Sequence, residues 1–349
     1  VSALPRKILL AAGGTGGHVI PSVAFGQWLE KQGETVVWLT GSRPLESTIF
    51  AAHGVTPLHL SLEGSPLGVS GLKSLKRWKS LLTSFFEAES LLKQQHVDCC
   101  VLFGGYLSFP VLMAARRLKI PVLMHEQNTV AGKVTRIAAK LGVQVACAWN
   151  VCRGLTGKSK PAVVGMPLRP IQITDRAEAR EHLTGSSLEK NEKLIVILGG
   201  SLGSGGMKKV LQNAQNMLKS TGCRVLCMGI KPEDRPFPEA LVHEASWDMS
   251  LVYSAADAVV CRAGASTLAE LGALGIPAVV VPWLGAADNH QLSNARCFSE
   301  LTGSPIYLEG DSAERFHEAL CSVKPRKPDP ARLTEGSANL YKVLCSLTN

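Results

Sequence analysis

The 349-residue chain is short of several things, and each shortage closes off a class of function. No uninterrupted apolar run approaches the ~18 residues that a membrane-spanning helix needs, so no span is expected. No basic, apolar and small-residue series of the signal-peptide kind opens the chain, which reads as cytosolic. Asp-x-Asp is absent, so a metal clamp on a diphosphate has no visible ligands, and neither metal nor cofactor is expected. The ten cysteines include no Cys-x-x-Cys pair and lie singly or on apolar strands, among them Cys99, Cys100, Cys147 and Cys261; they read as reduced core thiols. With 46% hydrophobic and 19% charged residues the chain is globular, and its length suits two domains of ~150 residues or more.

Two familiar nucleotide motifs are also missing. The glycine run Gly13 to His18, GGTGGH, follows an apolar strand over Ile8 to Ala12, yet Val19 stands where a dinucleotide fingerprint needs its third glycine. The next strand, Val36 to Thr40, ends in Thr-Gly and not in a ribose-binding acid. Gly157-Lys158-Ser159 has the end of a P-loop, but Cys152 replaces its first glycine.

What is present is a series of strands that each run into glycine or polar turns. GGTGGH lets backbone N–H groups approach an anion, and His18 at the following helix start is either a general base or a neighbour of the helix cap. A strand over Cys99 to Phe103 enters Gly104-Gly105-Tyr106-Leu107-Ser108. Another over Val122 to His125 enters Glu126-Gln127-Asn128, before a helix over Val130 to Leu141. Three strand ends therefore present polar groups on what would be one edge of a parallel sheet. Residues 165 to 174, GMPLRPIQIT, have two prolines and no periodicity and read as a linker between domains at 1–164 and 175–330, with a final helix in 331–349. The second domain repeats the pattern: the strand Leu194 to Leu198 meets Gly199 to Gly206, and the strand Ala256 to Cys261 meets a Gly/Ala/Ser turn and a helix from Thr267 that Gly275 ends. Glu270, one turn into that helix, could hold a vicinal diol such as a ribose or simply complement the helix dipole. Asp288 to Gln291 adds a polar cluster after the next strand. The strand-end loops of two such α/β domains could face one another across a cleft.

The net charge of +9 lies wholly in one half: 19 Lys and Arg against 8 Asp and Glu in residues 1–169, and 18 against 20 in the rest. Charge alone does not choose between nucleic acid, anionic lipid and phosphorylated substrate. Residues 72–93 form an amphipathic helix, with Leu75, Trp78, Leu82, Phe85 and Phe86 on one side and Lys73, Lys76, Arg77 and Lys79 on the rest. Core packing accounts for the apolar stripe by default; the cations and Trp78 also fit a surface that rests on anionic lipid.

GGTGGH at Gly13, GGYLSFP at Gly104, HEQN at His125, GMPLR at Gly165, GGSLGS at Gly199, CRAGASTLAE at Cys261 and DNHQLSNA at Asp288 occur in the order that resembles the MurG family, the peripheral-membrane N-acetylglucosaminyltransferases of peptidoglycan synthesis. The resemblance implies an α/β GT-B fold of two Rossmann-like parallel-sheet domains. It implies UDP-N-acetylglucosamine (UDP-GlcNAc) as donor and undecaprenyl-pyrophosphoryl-N-acetylmuramoyl (MurNAc) pentapeptide as acceptor. Anionic membrane lipid and other cell-wall synthesis proteins would be its partners at the cytoplasmic face of the cell membrane, with no nucleic acid. It carries the donor onto Thr15, Gly16, Gly17, Asn128, Arg169, Ser201, Ser246, Met249, Arg262, Ala265, Ser266, Thr267, Leu268, Glu270, His290 and Gln291, and the acceptor onto Gly14, Gly104, Gly105, Tyr106 and Ser108. His18 and Glu126 become the catalytic candidates, and Leu75, Lys76, Trp78, Lys79, Leu82 and Phe85 the membrane-facing ones. Met166 stands where the family has Asn, and Ser246 where it has an aliphatic residue. Two other classes stay open on the residues themselves: an epimerase of the same nucleotide sugar, which has no need of a basic aromatic helix, and a non-catalytic lipid-docking subunit, which leaves the glycine loops and His18 without a role.

Overall fold

The computed structural model describes residues 6–62, 72–157, 160–185, 192–199 and 205–348, without the side chains of residues 72–76 and 205. Ser201 and most of the glycine turn around it lie outside the described residues, and so do the side chains of Leu75 and Lys76. The chain divides into two compact units, Val1–Arg169 with Thr334–Asn349, and Pro170–Leu333.

In the first unit the elements alternate: β1 (Lys7–Ala11), α1 (Gly16–Lys31), β2 (Thr35–Thr40), α2 (Pro44–Ala52), β3 (Leu58–His59), α3 (Leu72–Gln94), β4 (Cys99–Leu102), α4 (Ser108–Arg117), β5 (Val122–Glu126), α5 (Lys133–Lys140), β6 (Gln144–Cys147) and β7 (Ala162–Val163). The second has α6 (Arg176–Thr184), β8 (Leu194–Leu198), α7 (Gly205–Ser220), β9 (Arg224–Met228), β10 (Leu241–His243), α8 (Met249–Ala255), β11 (Ala258–Cys261), α9 (Ala265–Leu274), β12 (Ala278–Val280), α10 (His290–Thr302) and α11 (Ala313–Ser322); α12 (Arg332–Thr348) closes the chain. Among the described residues the strands pair in the order β3-β2-β1-β4-β5-β6-β7 and β10-β9-β8-β11-β12, every pair parallel. Successive residues Ile8, Leu9, Leu10 and Ala11 are all fully buried. This double-sided burial is why these strands read as continuous apolar runs and not as alternating ones.

The order reverses direction between β1 and β4 in one sheet and between β8 and β11 in the other. At such a switch point adjacent crossover connections run apart and leave a crevice beyond the carboxyl ends of the strands.

Three features depart from the sequence reading. Helix α2 carried no periodic signal, since its nine residues PLESTIFAA are mixed in polarity, yet it begins with Pro44 in the first turn and buries Glu46, Ile49 and Phe50. Helix α5 starts at Lys133 and not Val130, because residues 128–132 wrap around the Glu126 carboxylate first. In α3 the core takes Leu81, Ser84, Ala88 and Leu92, so core packing does not account for the stripe: Trp78, Leu82 and Phe86 are 48%, 62% and 58% exposed. Phe85 is a correction in the opposite direction, for it packs on the core with the Arg117 guanidinium 6.0 Å from its ring centre.

The last helix belongs with the first unit. The Arg6 guanidinium donates to Glu34 Oε1 (2.8 Å), the Tyr341 hydroxyl (2.8 Å) and Thr348 Oγ1 (2.8 Å), while the Trp28 and Tyr341 rings meet edge to face at 5.4 Å. Gly336 lies so close to residues 166 and 167 that a Cβ there would sit 2.1 Å from the Met166 carbonyl oxygen. Met166, Leu168 and Ile171 are themselves buried.

Candidate active site

In the first unit, strands β1, β4 and β5 are neighbours, so their three strand-end loops lie side by side at the switch point. Thr15 caps α1 with extended backbone, and the His18 and Val19 N–H groups return to its carbonyl at 3.1 and 3.2 Å. The first turn of α1 carries no acid of its own. The turn after β4 interlocks with this loop. Gly105 has φ +76°, and a Cβ there would stand 2.4 Å from the Gly13 carbonyl oxygen and 3.4 Å from His18 Cδ2. One at Gly104 would stand 3.3 Å from His18 Cε1, so the imidazole rests against two residues that must lack side chains. Buried Ser108 secures the turn by donating to the Gly104 carbonyl at 2.6 Å.

Glu46 of α2 ties this region together, although sequence reasoning passed over it. It is fully buried; Oε1 accepts the Gly14 N–H (2.5 Å) and the Tyr106 hydroxyl (3.0 Å), and Oε2 lies 3.3 Å from the Thr40 hydroxyl. The Arg43 guanidinium covers the Tyr106 ring at 4.7 Å. Burial, with the Glu46 charge behind it, holds the Tyr106 phenol well above its ordinary range, so it stays a hydrogen-bond donor. An acid in the first turn after Pro44 reads locally as a dipole partner, and only the fold shows what it binds.

The loop after β5 supplies the other wall. Gln127 Oε1 lies 2.9 Å from His18 Nδ1, Gln127 Nε2 lies 3.0 Å from His125 Nδ1, and His125 Nε2 lies 3.2 Å from the Gly165 carbonyl oxygen. Burial pushes the His125 imidazole down to about 4, so it is neutral at physiological pH. Glu126 is 3% exposed and fully engaged: Oε1 accepts from the Asn128 backbone and side-chain N–H groups (3.0 and 3.3 Å), and Oε2 from Gly132 N–H (2.9 Å) and the Thr135 hydroxyl (2.6 Å). Such a carboxylate shapes the loop and has little capacity left for substrate.

In the second unit, α9 begins directly after β11 at the other switch point. Ala265, Ser266 and Leu268 are buried and Thr267 is half-buried. The Ser266 hydroxyl has no hydrogen-bond partner although its residue is only 7% exposed. An orphaned buried hydroxyl at a helix N-terminus is a place for an anion oxygen. Glu270 is fully buried and accepts the Tyr253 hydroxyl at 2.6 Å. Arg262 is also buried, donating to the Val281 carbonyl (3.2 Å) and pairing with Glu309 (2.5 Å). Ser246 turns onto the Asp248 carbonyl (3.2 Å), beside buried Met249. His290 Nδ1 lies 2.8 Å from the Ala287 carbonyl oxygen, and Gln291 Oε1 takes the Trp283 N–H at 2.9 Å. Asn294, fully buried, donates to the Ala263 carbonyl and so fastens α10 to the β11 turn. Arg169 is half-buried at the end of the first unit. Among the described residues no cluster of His, Cys, Asp and Glu could hold a metal ion.

Two parallel-sheet α/β units, each with a reversal of strand order at a switch point, are the architecture of the GT-B fold. The profile of the glycosyltransferase family 28 N-terminal domain matches residues 8–147 and that of its C-terminal domain residues 194–343; the chain belongs to this family. Relatives include the UDP-N-acetylglucosamine–N-acetylmuramyl-(pentapeptide) pyrophosphoryl-undecaprenol N-acetylglucosamine transferases of Cupriavidus necator and Carboxydothermus hydrogenoformans. Each is 32% identical, over 96% of this chain and 94% of the first and 97% of this chain and 93% of the second. The crystal structure of Acinetobacter baumannii MurG superimposes with a TM-score of 0.65 at 27% identity, covering 97% of this chain and 95% of that one.

Proposed function

We propose that the chain transfers GlcNAc with inversion from UDP-GlcNAc to the 4-hydroxyl of MurNAc in undecaprenyl-pyrophosphoryl-MurNAc-pentapeptide, completing the lipid-linked peptidoglycan precursor. The observation that carries the reading is full-length similarity to transferases named for that reaction. The sites on each unit are chemically suited to it. As the acceptor oxygen attacks the anomeric carbon, the bond to the diphosphate breaks and UDP departs with the bonding pair. The departing charge needs donors that are already oriented, and the α9 N-terminus with the Ser266 hydroxyl meets that need. The acceptor proton needs a base. His18 lies between two glycine turns, half-buried in the first turn of α1, whereas the Glu126 oxygens are already taken by four donors. The geometry therefore favours His18. Glu270 is assigned to the ribose diol, exchanging its Tyr253 partner for the sugar hydroxyls.

We further infer a peripheral position at the cytoplasmic face of the membrane. No helix among the described residues is long and apolar enough to cross a membrane. Trp78, Leu82 and Phe86, exposed on α3 among its cations, are suited to entering a lipid interface that carries negative charge. Incubation with radiolabelled UDP-GlcNAc, with and without the lipid-linked muramoyl acceptor, tests the function. Label should enter the lipid fraction only when acceptor is present. Epimerised sugar without transfer, or no consumption of donor, would reject it.

A further inference from the structure

The three imidazole and amide contacts behind His18 form a line that ends on a group with only one possible polarity. The Gly165 carbonyl can accept but never donate, so the imidazole 3.2 Å away must present Nε2–H to it. His125 is neutral, its ring fully buried and packed at 5.4 Å from Phe103, so its other nitrogen, Nδ1, carries a lone pair. The Gln127 group 3.0 Å from that lone pair must then be the NH2, which also donates to the His125 carbonyl at 3.0 Å; a flipped amide would set oxygen against two acceptors. The amide oxygen is thereby turned toward His18 Nδ1, 2.9 Å away, and requires a proton there. The Gln127 carbonyl in turn accepts the Trp149 indole N–H at 2.9 Å, which fixes the backbone of the relay.

We propose that His125 and Gln127 are positioning residues that lock His18 in the Nδ1–H tautomer, leaving the Nε2 lone pair as the one that receives the acceptor proton. The proposal rests on the reading of His18 as the base. Other titratable groups around His18 are Glu126, beside the relay on β5, and Tyr106 on the β4–α4 turn with Glu46 and Arg43 behind it. The relay reaches a backbone carbonyl and no carboxylate. It thus orients the base without adding a negative charge beside it, unlike a His–Asp pair.

The test is 15N NMR of the histidine-labelled full chain, with the His18 signals assigned by their loss in His18→Ala. Wild type should show protonated Nδ1 and bare Nε2. Gln127→Leu should release the lock, giving a mixture of tautomers and a kcat lower by roughly 10 to 100-fold with UDP affinity unchanged. Gln127→Glu is nearly isosteric and covers the case in which the leucine variant fails to fold. Its carboxylate can still accept from His18 Nδ1–H, while its second oxygen replaces the NH2 that faces His125 Nδ1 and draws a proton onto that nitrogen; His18 should keep its tautomer as the acidic limb of the kcat profile moves to higher pH. A proton on Nε2 in the wild type, or wild-type kcat in Gln127→Leu, would overturn the proposal. An Nδ1–H His18 combined with full activity of His18→Ala would instead remove the base and leave the relay as a packing device.

Discussion

Replacing Gly105 by alanine tests whether the two glycine turns act as one device. Two costs can be separated at this position. An L-residue at φ +76° is strained by ~1–2 kcal/mol, which lowers stability only. The added Cβ would also lie 2.4 Å from the Gly13 carbonyl oxygen. An ordinary contact is ~3.4 Å, so one loop has to retreat by about 1 Å. That movement acts on the Gly14 N–H held by Glu46 and on the ring of His18, and misplacement of ~1 Å can cost ~10² in rate. Gly33 is the control: φ is +86°, and nothing lies within 4 Å of its would-be Cβ. Gly105→Ala should therefore lose about a hundredfold in kcat with UDP affinity unchanged, while Gly33→Ala carries the strain alone, loses ~1–2 kcal/mol of stability and retains its rate. Transfer kinetics, calorimetry with UDP and the unfolding midpoint of each variant make the comparison. If kcat of Gly105→Ala lay within about threefold of Gly33→Ala, the coupling of loop to loop would be wrong.

Four further outcomes are expected. His18→Ala should lower kcat by ~10² to 10⁴ and remove one ionisation from the pH profile; retention of more than about a tenth of the rate excludes it as the base. Glu270→Ala should weaken UDP binding at least tenfold, from the loss of charge-assisted hydrogen bonds of ~1.5–3 kcal/mol each, and unchanged calorimetry in a folded variant refutes the ribose assignment. Serine at Trp78, Leu82 and Phe86, or charge reversal at Lys76, Arg77 and Lys79 at ~1 kcal/mol per cation, should release the protein from anionic vesicles but spare activity on a short-chain soluble acceptor. Equal vesicle binding by wild type and variants would count against the lipid surface. At Glu34, burial raises the carboxyl pKa, but hydrogen bonds from Tyr341 and Arg6 outweigh it and leave the pKa lowered. Its stabilisation is thus present above the unfolded value near 4.5 and is lost as pH falls through the lowered folded value. Glu34→Gln should be less stable by roughly 1–3 kcal/mol at pH 7, and its deficit in chemical denaturation should shrink in acid; a pH-independent deficit contradicts the assignment.

Much of this protein was readable before any fold was known. Glycine turns, proline starts and apolar runs depend on neighbours a few residues away, so β1, β4, β5, β8, β9 and β11 and the turns that follow them could be read from the chain alone. His18 and Glu270 are candidates for the same reason, because each follows such a turn, whereas Ser266 enters only through the family resemblance. The family resemblance rested on those same local motifs.

The partners of these residues were decided elsewhere. Glu46 reaches Gly14 across 32 residues and Tyr106 across 60, and Gln127 reaches His18 across 109. No local pattern encodes such pairings, which arise because β1 lies between β2 and β4 and brings distant loops together. The same limit applied to α3, whose sequence has two apolar arcs: only packing showed that the core takes Leu81, Ala88 and Leu92 and leaves Trp78, Leu82 and Phe86 outside. It applied also to α12, whose return to the first unit is set by the close approach of Gly336 to Met166 and by the Arg6 contacts. Sequence alone determined most of the strands, the turns that follow them and where chemistry gathers along the chain. Tertiary structure decided which groups meet, because a hydrogen bond or a buried contact is a condition on space and not on sequence separation.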